Sequence, residues 1–446
     1  MSPEKTGARG LALTAIKRVE KDKAYLARLI DHYQNKSNWK EADRRLFTEL
    51  ACGVIRHRRL LDFYIEQILD RKIRQTDLTT RNLLRLGAYQ LFFLTKIPAR
   101  AAVNETVELS AKYARPLVNA VLRKLSEKSS ELKSPDQIPN MLERLAVKYS
   151  HPDWMVKRFI ALFGETEAEE LLAANNQRPD LALRVNTLAA TREHLLELWA
   201  KKGIKARPGN FSPFALILES RQFPGALPGY QEGWFAVQDE ASQLVVMMLA
   251  PRPGEPILDA CSAPGTKSLM IFQLMKKAGR LVSADLSERK LRLSEKEASR
   301  LGLQGFEILA QDLTRPLKSP EQFDKILLDA PCSGLGTLRH HPEIKWQRTP
   351  EDISQLAATQ KALAKNLGRY VRPAGILVYA SCTFTPEENQ EVAASLVETG
   401  EFQIEDPGPY LPEPAQVLVK NNILQTLPHR HGTDGFTAFR LKKINR

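Results

Sequence analysis

The stretch that most limits the fold is Pro256-Ile-Leu-Asp259-Ala-Cys261-Ser262-Ala263-Pro264-Gly265-Thr266-Lys267-Ser268. An apolar strand runs into an aspartate, and a proline–glycine turn then opens a helical pattern. Such a turn brings backbone N–H groups and a helix start close to a ligand, and its glycine permits the approach. Twenty residues beyond Gly265, Asp285 closes a second strand, Gly279-Arg-Leu-Val-Ser-Ala-Asp285. An acid there is how a nucleotide-binding α/β domain holds ribose hydroxyls. One glycine is not G-x-G-x-x-G, so a smaller adenosine ligand is expected rather than a dinucleotide.

From residue 256 onward the periods alternate as a doubly wound α/β fold requires. Strands are predicted at 256–260, 280–285, 306–310, 324–329 and 376–381, with helices at 267–277, 288–301, 351–370 and 387–398. Late strands near 417–424 and 436–441 complete the sheet. Residues 8–145 read instead as helices: Leu11–Asn35, Glu41–Arg56, Leu60–Leu69, Thr80–Leu94, Ala101–Lys112 and Pro116–Leu132. Asp77 or Thr79 is suited to cap the fourth. Lys133-Ser-Pro-Asp-Gln-Ile-Pro139 marks a boundary. Helices resume at Leu142–Lys148, Asp153–Leu162 and Glu165–Ala174, followed by a strand Leu181–Val185, a helix Thr191–Lys202 and an extended Phe214–Glu219. Arg184 and Asn186 end that strand facing the next domain, and Asp239 and Ser242 stand at the entry to it. The domains expected are thus 1–138, all-helical; 139–235, linker helices and a small α+β subdomain; and 236–446, the Rossmann-like sheet.

The net charge of +13 is unevenly placed. Residues 1–145 hold 28 Lys and Arg against 17 Asp and Glu, a surplus of 11. A polyanionic partner is the first expectation, with the N-terminal domain as its electrostatic handle. Arg56, Arg58, Arg59, Arg71, Lys72 and Arg74 cluster near two helix ends and are candidates for phosphate contact. Cys52, Cys261, Cys332 and Cys382 form no C-x-x-C. Neither disulfides nor a metal site is therefore expected, and the setting is a reducing, cytoplasmic one. The N-terminus shows no apolar signal-peptide run and no stretch is long enough to span a bilayer.

Three acids close the first three strands, Asp259, Asp285 and Asp312, at the ends where an open α/β sheet binds its ligand. Asp285 suits ribose hydroxyls and Asp312 an adenine amine. The fourth strand ends in Asp329-Ala-Pro-Cys332-Ser-Gly and the fifth in Tyr379-Ala-Ser-Cys382-Thr, followed by Thr385-Pro-Glu-Glu388. That last piece reads as a capping box with proline at the first helical position. Helix starts and Lys267 are expected to favour thiolate at the two cysteines.

With these residues in view, the sequence resembles bacterial RNA 5-methylcytosine methyltransferases of the RsmB type, also called Sun or Fmu. The resemblance rests on residues 259–267, on Asp-Ala-Pro-Cys-Ser-Gly (329–334) and on His-Pro-Glu-Ile-Lys-Trp (341–346). Tyr-Ala-Ser-Cys-Thr (379–383), Pro-Glu-Glu-Asn (386–389) and Gly-Thr-Asp-Gly-Phe (432–436) complete it. Residues 43–56 and 118–124 resemble the helical RNA-binding domain of the antitermination factor NusB.

The resemblance implies S-adenosylmethionine as methyl donor. Cys261, Ser262, Ala263, Pro264, Gly265, Thr266, Lys267, Asp285, Arg289, Asp312 and Asp329 are the residues expected to hold it. It implies Cys382 as nucleophile on C6 of the target cytosine, Asp329 at its N3 edge, Cys332 in release of the adduct, and Lys267 as a charged neighbour. The partner implied is 16S ribosomal RNA, free or in an early small-subunit particle, met by a monomer. The family usually has Gly-Gly-Lys-Thr where this chain has Gly265-Thr266-Lys267-Ser268, so the Thr266 Cβ is expected to crowd the turn. The rival readings are the same chemistry on transfer RNA or another RNA, an amino-methyltransferase, and a non-catalytic assembly factor. Asp-Ala-Pro-Cys lacks the aromatic an amino-methyltransferase stacks on its substrate, and intact cysteines speak against the last.

Overall fold

The computed structural model describes residues 7–36, 39–219, 222–318 and 321–444. The chain divides into two compact units, Met1–Gln177 with Leu338–Arg348, and Arg178–Thr337 with Thr349–Arg446. Among the described residues no helix is long and apolar enough to cross a membrane.

The first unit is helical. Its opening helix is two rather than the expected one, α1 (Gly7–Asp22) and α2 (Leu26–Lys36). Lys23 adopts a left-handed φ of 51°, which ends α1, and the Glu343 carboxylate accepts the Leu26 N–H at 3.0 Å to start α2. Then follow α3 (Glu41–Arg56), α4 (Arg58–Glu66), α5 (Leu78–Phe93), α6 (Ala99–Glu108), α7 (Arg115–Glu127), α8 (Met141–Lys148), α9 (Asp153–Phe163) and α10 (Glu165–Ala174). Asp77 caps α5, accepting from the N–H groups of Thr79 and Thr80. Ala8, Leu11, Ala12, Ala15, Ile16 and Val19 line one face of α1 at three- and four-residue spacing. They join Phe47, Leu50 and Val54 of α3 and Leu83 and Leu86 of α5 in one core. Buried Arg85 is matched there by Asp62, at 2.7 and 2.8 Å, and by Glu20 at 3.0 Å. By packing, the helices α8–α10 group with this unit.

Residues 338–348 leave the sheet domain's sequence and pack inside this helical unit. Lys345, in the single turn Ile344–Gln347, is 1% exposed. Its ammonium donates to Asn176 Oδ1 at 2.6 Å and to the carbonyls of Arg56 and Ser150, each at 3.3 Å. Burial, and then the Arg56 charge, push it well below the ordinary lysine range. Trp346 Nε1 donates to Ile55 O at 2.8 Å, and the Arg58 guanidinium lies over its ring. The His-Pro-Glu-Ile-Lys-Trp motif is therefore a plug in a helical core.

The basic cluster is reassigned in part for the same reason. Arg56 donates to Arg339 O, and Arg59 to His151 O and Asp153. Arg71, Lys72 and Arg74 are exposed.

The second unit begins with a four-stranded antiparallel sheet of order β2-β3-β1-β4. It holds β1 (Leu181–Val185), α11 (Arg192–Lys201), β2 (Ala206–Pro208), β3 (Ala215–Leu218) and β4 (Phe235–Val237), packed around Trp199 and Phe235. Next come α12 (Glu240–Leu249), capped by Asp239, β5 (Ile257–Ala260), α13 (Thr266–Leu274), β6 (Leu281–Asp285), α14 (Glu288–Leu301), β7 (Glu307–Ala310) and β8 (Phe323–Asp329). After the turn Ile344–Gln347 (α15) follow α16 (Pro350–Gly368), β9 (Val371–Ser381), α17 (Gln390–Val397), β10 (Phe402–Glu405), β11 (Val419–Lys420), β12 (Ile423–Thr426) and β13 (Phe436–Lys443).

The large sheet has the order β11-β12-β13-β9-β8-β5-β6-β7, with β10 also on β13. The run from β9 to β7 is parallel, and β13 lies antiparallel to β9. Ile257, Leu327 and Val378 fill the core on one face; Leu258, Leu328 and Leu377 fill it on the other. Burial on both faces explains why these strands are nearly continuous apolar runs. The chain winds outward from β5 through β7 and then returns to the other side of β5 with β8. That reversal opens a crevice at the carboxyl ends of β5 and β8.

Candidate active site

The turn after β5 and the end of β6 face each other across this crevice. Gly265 has φ of 100°, and a Cβ there would stand 2.3 Å from the Ser294 Cβ on α14. The tight position is thus Gly265. Thr266 is the first residue of α13. Asp285 accepts the Ala263 N–H at 3.2 Å on one oxygen and the Ser287 N–H at 2.9 Å on the other. A carboxylate has about four acceptor sites, so two stay available for a pair of ribose hydroxyls. Leu286, 76% exposed, adds an apolar surface beside them. These residues fit an adenosine-bearing cofactor. Arg289 is exposed on the first turn of α14. Asp312 lies two residues past Ala310, which pairs with Asp285, and one of its oxygens is taken up by the Thr314 N–H and hydroxyl.

Asp259 does not join the other acids. In the parallel register it sits opposite Ser283, two residues below Asp285, and it is fully buried. Ser268 donates to it at 2.5 Å, and Ser268 and Ser262 both contact the Ser283 hydroxyl. Burial, with a smaller contribution from Asp329, raises its carboxyl from the ordinary 3.8 to about 7 against the Ser268 hydrogen bond. Between these values the folded chain keeps a proton that the unfolded chain has shed. The contribution to stability is whole below the unfolded value and is lost as pH rises through 7. Asp259→Asn should therefore melt above the parent chain at pH 8 and level with it near pH 4. An offset independent of pH in thermal melts would contradict this.

The remaining groups meet at the ends of β8 and β9. Lys267 Nζ donates to Asp329 Oδ2 at 2.7 Å and lies 5.1 Å from the Phe436 ring centroid. Burial alone would lower this ammonium, but Asp329, by charge and hydrogen bond, outweighs it and holds the group above the ordinary lysine range. Cys332 Sγ and Cys382 Sγ are 3.1 Å apart, each thiol half-buried. The hydrogen bond with Cys382, and then burial, push the Cys332 thiol well above its ordinary range. This direction runs against the thiolate expected at Cys332, and its causes are the Cys382 hydrogen bond and burial. Cys261 is a third half-buried thiol, at a left-handed φ of 58°. Burial first, then Asp285 and Asp329, hold it high.

The capping box expected at Thr385–Glu388 is absent. Pro386–Glu388 is a 3₁₀ turn, α17 starts only at Gln390, and Thr385 donates to Glu388 rather than accepting from the backbone. Arg184 and Asn186 do face the large domain. Arg184 donates to Gln238 Oε1 and to Thr266 O at 2.9 Å, and Asn186 to Gly233 O and Leu301 O. Sequence reasoning missed Ser294. The available sign was a small polar residue spaced three from Leu291 and four from Ala298 on the buried face of α14.

A sheet that reverses beside a nucleoside-sized turn, and that sets two thiols at its next strand ends, is the framework of a Rossmann-like methyltransferase working through cysteine. The 16S rRNA methyltransferase RsmB/F family matches residues 246–442, the NusB family residues 6–127, and the ferredoxin-like domain of RsmF/B-like methyltransferases residues 151–223. The probable ribosomal RNA small subunit methyltransferase B of Synechocystis sp. is 36% identical, over 98% of this chain and 99% of that one. That of Bacillus subtilis is 35% identical, over 99% of each. The crystal structure of PH0851 superposes with a TM-score of 0.81 at 26% identity, covering 98% of this chain and 99% of that one. The chain belongs to the ribosomal RNA small subunit methyltransferase B family.

Proposed function

We propose that this chain transfers a methyl group to C5 of a cytosine in 16S ribosomal RNA through a Cys382–C6 adduct. The observation that carries the reading is the pair of thiols 3.1 Å apart beside the Lys267–Asp329 ion pair, at the strand ends next to the nucleoside turn. When bound, S-adenosylmethionine supplies an electrophilic methyl group. Asp285 would hold its ribose, the segment Cys261–Lys267 its amino-acid end, and Asp312 and Arg289 its outer edge.

An aromatic C5 is a poor nucleophile. When Cys382 Sγ gives up its proton to solvent and adds to C6, the C5–C6 double bond opens, electron density moves onto C5 and N3, and C5 then takes the methyl group. The Lys267–Asp329 pair, joined by a hydrogen bond that Lys267 donates, faces N3, and its ammonium balances the charge that develops there. Loss of the C5 proton to solvent restores the C5–C6 double bond as the C6–S bond breaks, and the Cys332 thiol gives its proton to the departing Cys382 sulfur. Residues 1–138 supply affinity for the RNA backbone through their surplus of positive charge. The enzyme acts as a monomer in the cytoplasm.

Purified protein with tritiated methyl donor should place label as 5-methylcytosine in a 16S rRNA transcript and leave transfer RNA at background. Labelling of transfer RNA in preference would favour the rival substrate.

A further inference from the structure

Glu388 has no part in the chemistry above, yet it is fully buried. Its Oε1 accepts the Ser333 backbone N–H at 2.7 Å and the Gln360 amide at 3.2 Å. Its Oε2 accepts the Ser333 hydroxyl at 2.6 Å and the Thr385 hydroxyl at 2.8 Å. Ser333 directly follows Cys332, and Thr385 stands three residues after Cys382. Gln360 also donates to Pro331 O at 2.8 Å, on the other side of Cys332. The backbone of Glu388 is pinned in turn by the Tyr379 hydroxyl at 2.5 Å. Asn389 ties the second loop to itself through Thr383 O, Thr385 O and the Ser381 hydroxyl. The flanks of both thiols thus hang on one carboxylate. Burying such a group is costly, and a tie needed only for stability is made as well by apolar packing.

We propose that Glu388 is a positioning residue that clamps the loop after β8 to the loop after β9 and so fixes the separation of Cys332 from Cys382. The proposal rests on the reading that these two thiols act in turn on one base, but it can be tested on the thiols without RNA. Glu388→Ala leaves the Ser333 N–H and two hydroxyls without their acceptor and frees both loops. Glu388→Gln keeps an oxygen for the Ser333 N–H, and the Ser333 and Thr385 hydroxyls can rotate to accept from its amide. The contrast separates geometry from charge.

Diamide takes two hydrogens from a thiol pair and is itself reduced to the hydrazine, leaving a disulfide whose rate of closure reports how well the sulfurs are held together. Mass spectrometry of the Cys332–Cys382 peptide should show wild type and Glu388→Gln closing within about threefold of each other. Glu388→Ala should close about tenfold more slowly or worse. In RNA methylation Glu388→Ala should lose kcat with KM nearly unchanged. A folded Glu388→Ala protein, judged by melting and by cofactor titration, that closed at the wild-type rate would overturn the proposal. Should Glu388→Ala not fold, the Ser333→Ala, Thr385→Ala double variant removes both donors to Oε2; slower closure supports the clamp, and wild-type closure overturns it. Slow closure with unaltered RNA methylation would leave the clamp standing and refute instead the roles assigned to the cysteines.

Discussion

Replacement of Cys382 by alanine should abolish methyl transfer, by a factor on the order of 10⁴ or more, and leave no covalent RNA adduct. Neither neighbouring cysteine is expected to replace it. Burial, and then Asp285, Asp329 and Asp259, push the Cys261 thiol up, and Cys332 follows strand β8 instead of β9. Replacement of Cys332 should have the opposite signature. Attack by Cys382 still activates the ring, so C5 is methylated, but release slows and protein stays bound to RNA. Denaturing gels of each variant with labelled methyl donor and ordinary cytosine RNA separate the two. Fluorinated cytosine would trap the parent enzyme as well and hide the difference. An adduct that accumulates with the Cys382 variant, and none with the Cys332 variant, would reverse the roles.

The second large effect is expected at Lys267. Its ammonium is the positive charge paired with Asp329 at 2.7 Å, and its side chain is only 10% exposed. Lys267→Met keeps the length and the apolar stem but leaves the Asp329 carboxylate beside the base with no counter-charge. Charge developing on the ring would then be repelled where it had been balanced. We expect kcat to fall by roughly 10²–10³, the scale on which one preorganised electrostatic partner acts. Cofactor affinity should fall less than kcat, since Lys267 is only the last residue of the segment assigned to the donor's amino-acid end, and Asp285 and the Gly265 turn are untouched. Single-turnover methylation together with calorimetric titration of the donor checks both halves. A variant with unchanged single-turnover rate would remove Lys267 from the chemistry.

Much of this site was legible because each strand end carries its own chemistry in one or two residues. Asp285, Asp329, Cys332 and Cys382 needed only the alternation of strand and helix to be placed at one edge of a parallel sheet. Asp259 misled because a strand's last acid can lie two residues deeper than its neighbour's, and only the register against Ser283 reveals this. Thr385-Pro-Glu-Glu388 misled because the Glu388 side chain was claimed by distant donors on Ser333 and Gln360. Local pattern cannot see partners 55 and 28 residues away. Lys345 was the hardest case: a lysine within a catalytic-domain motif lies buried against oxygens of Arg56, Ser150 and Asn176, some 170 to 290 residues earlier in the chain. Its neighbours in sequence carry no sign of that destination. Helix content in residues 7–127 was readable from three- and four-residue spacing, whereas the break at Lys23 depended on a capping carboxylate from Glu343.

The most direct test of the central claim is bisulfite sequencing of ribosomal and transfer RNA from cells with and without the gene, and with the gene carrying Cys382→Ala. One cytosine in 16S rRNA is expected to resist conversion only when the intact gene is present, and to become convertible in the Cys382→Ala strain. A 16S rRNA pattern unchanged by loss of the gene, with a protected cytosine lost from a transfer RNA instead, would contradict it.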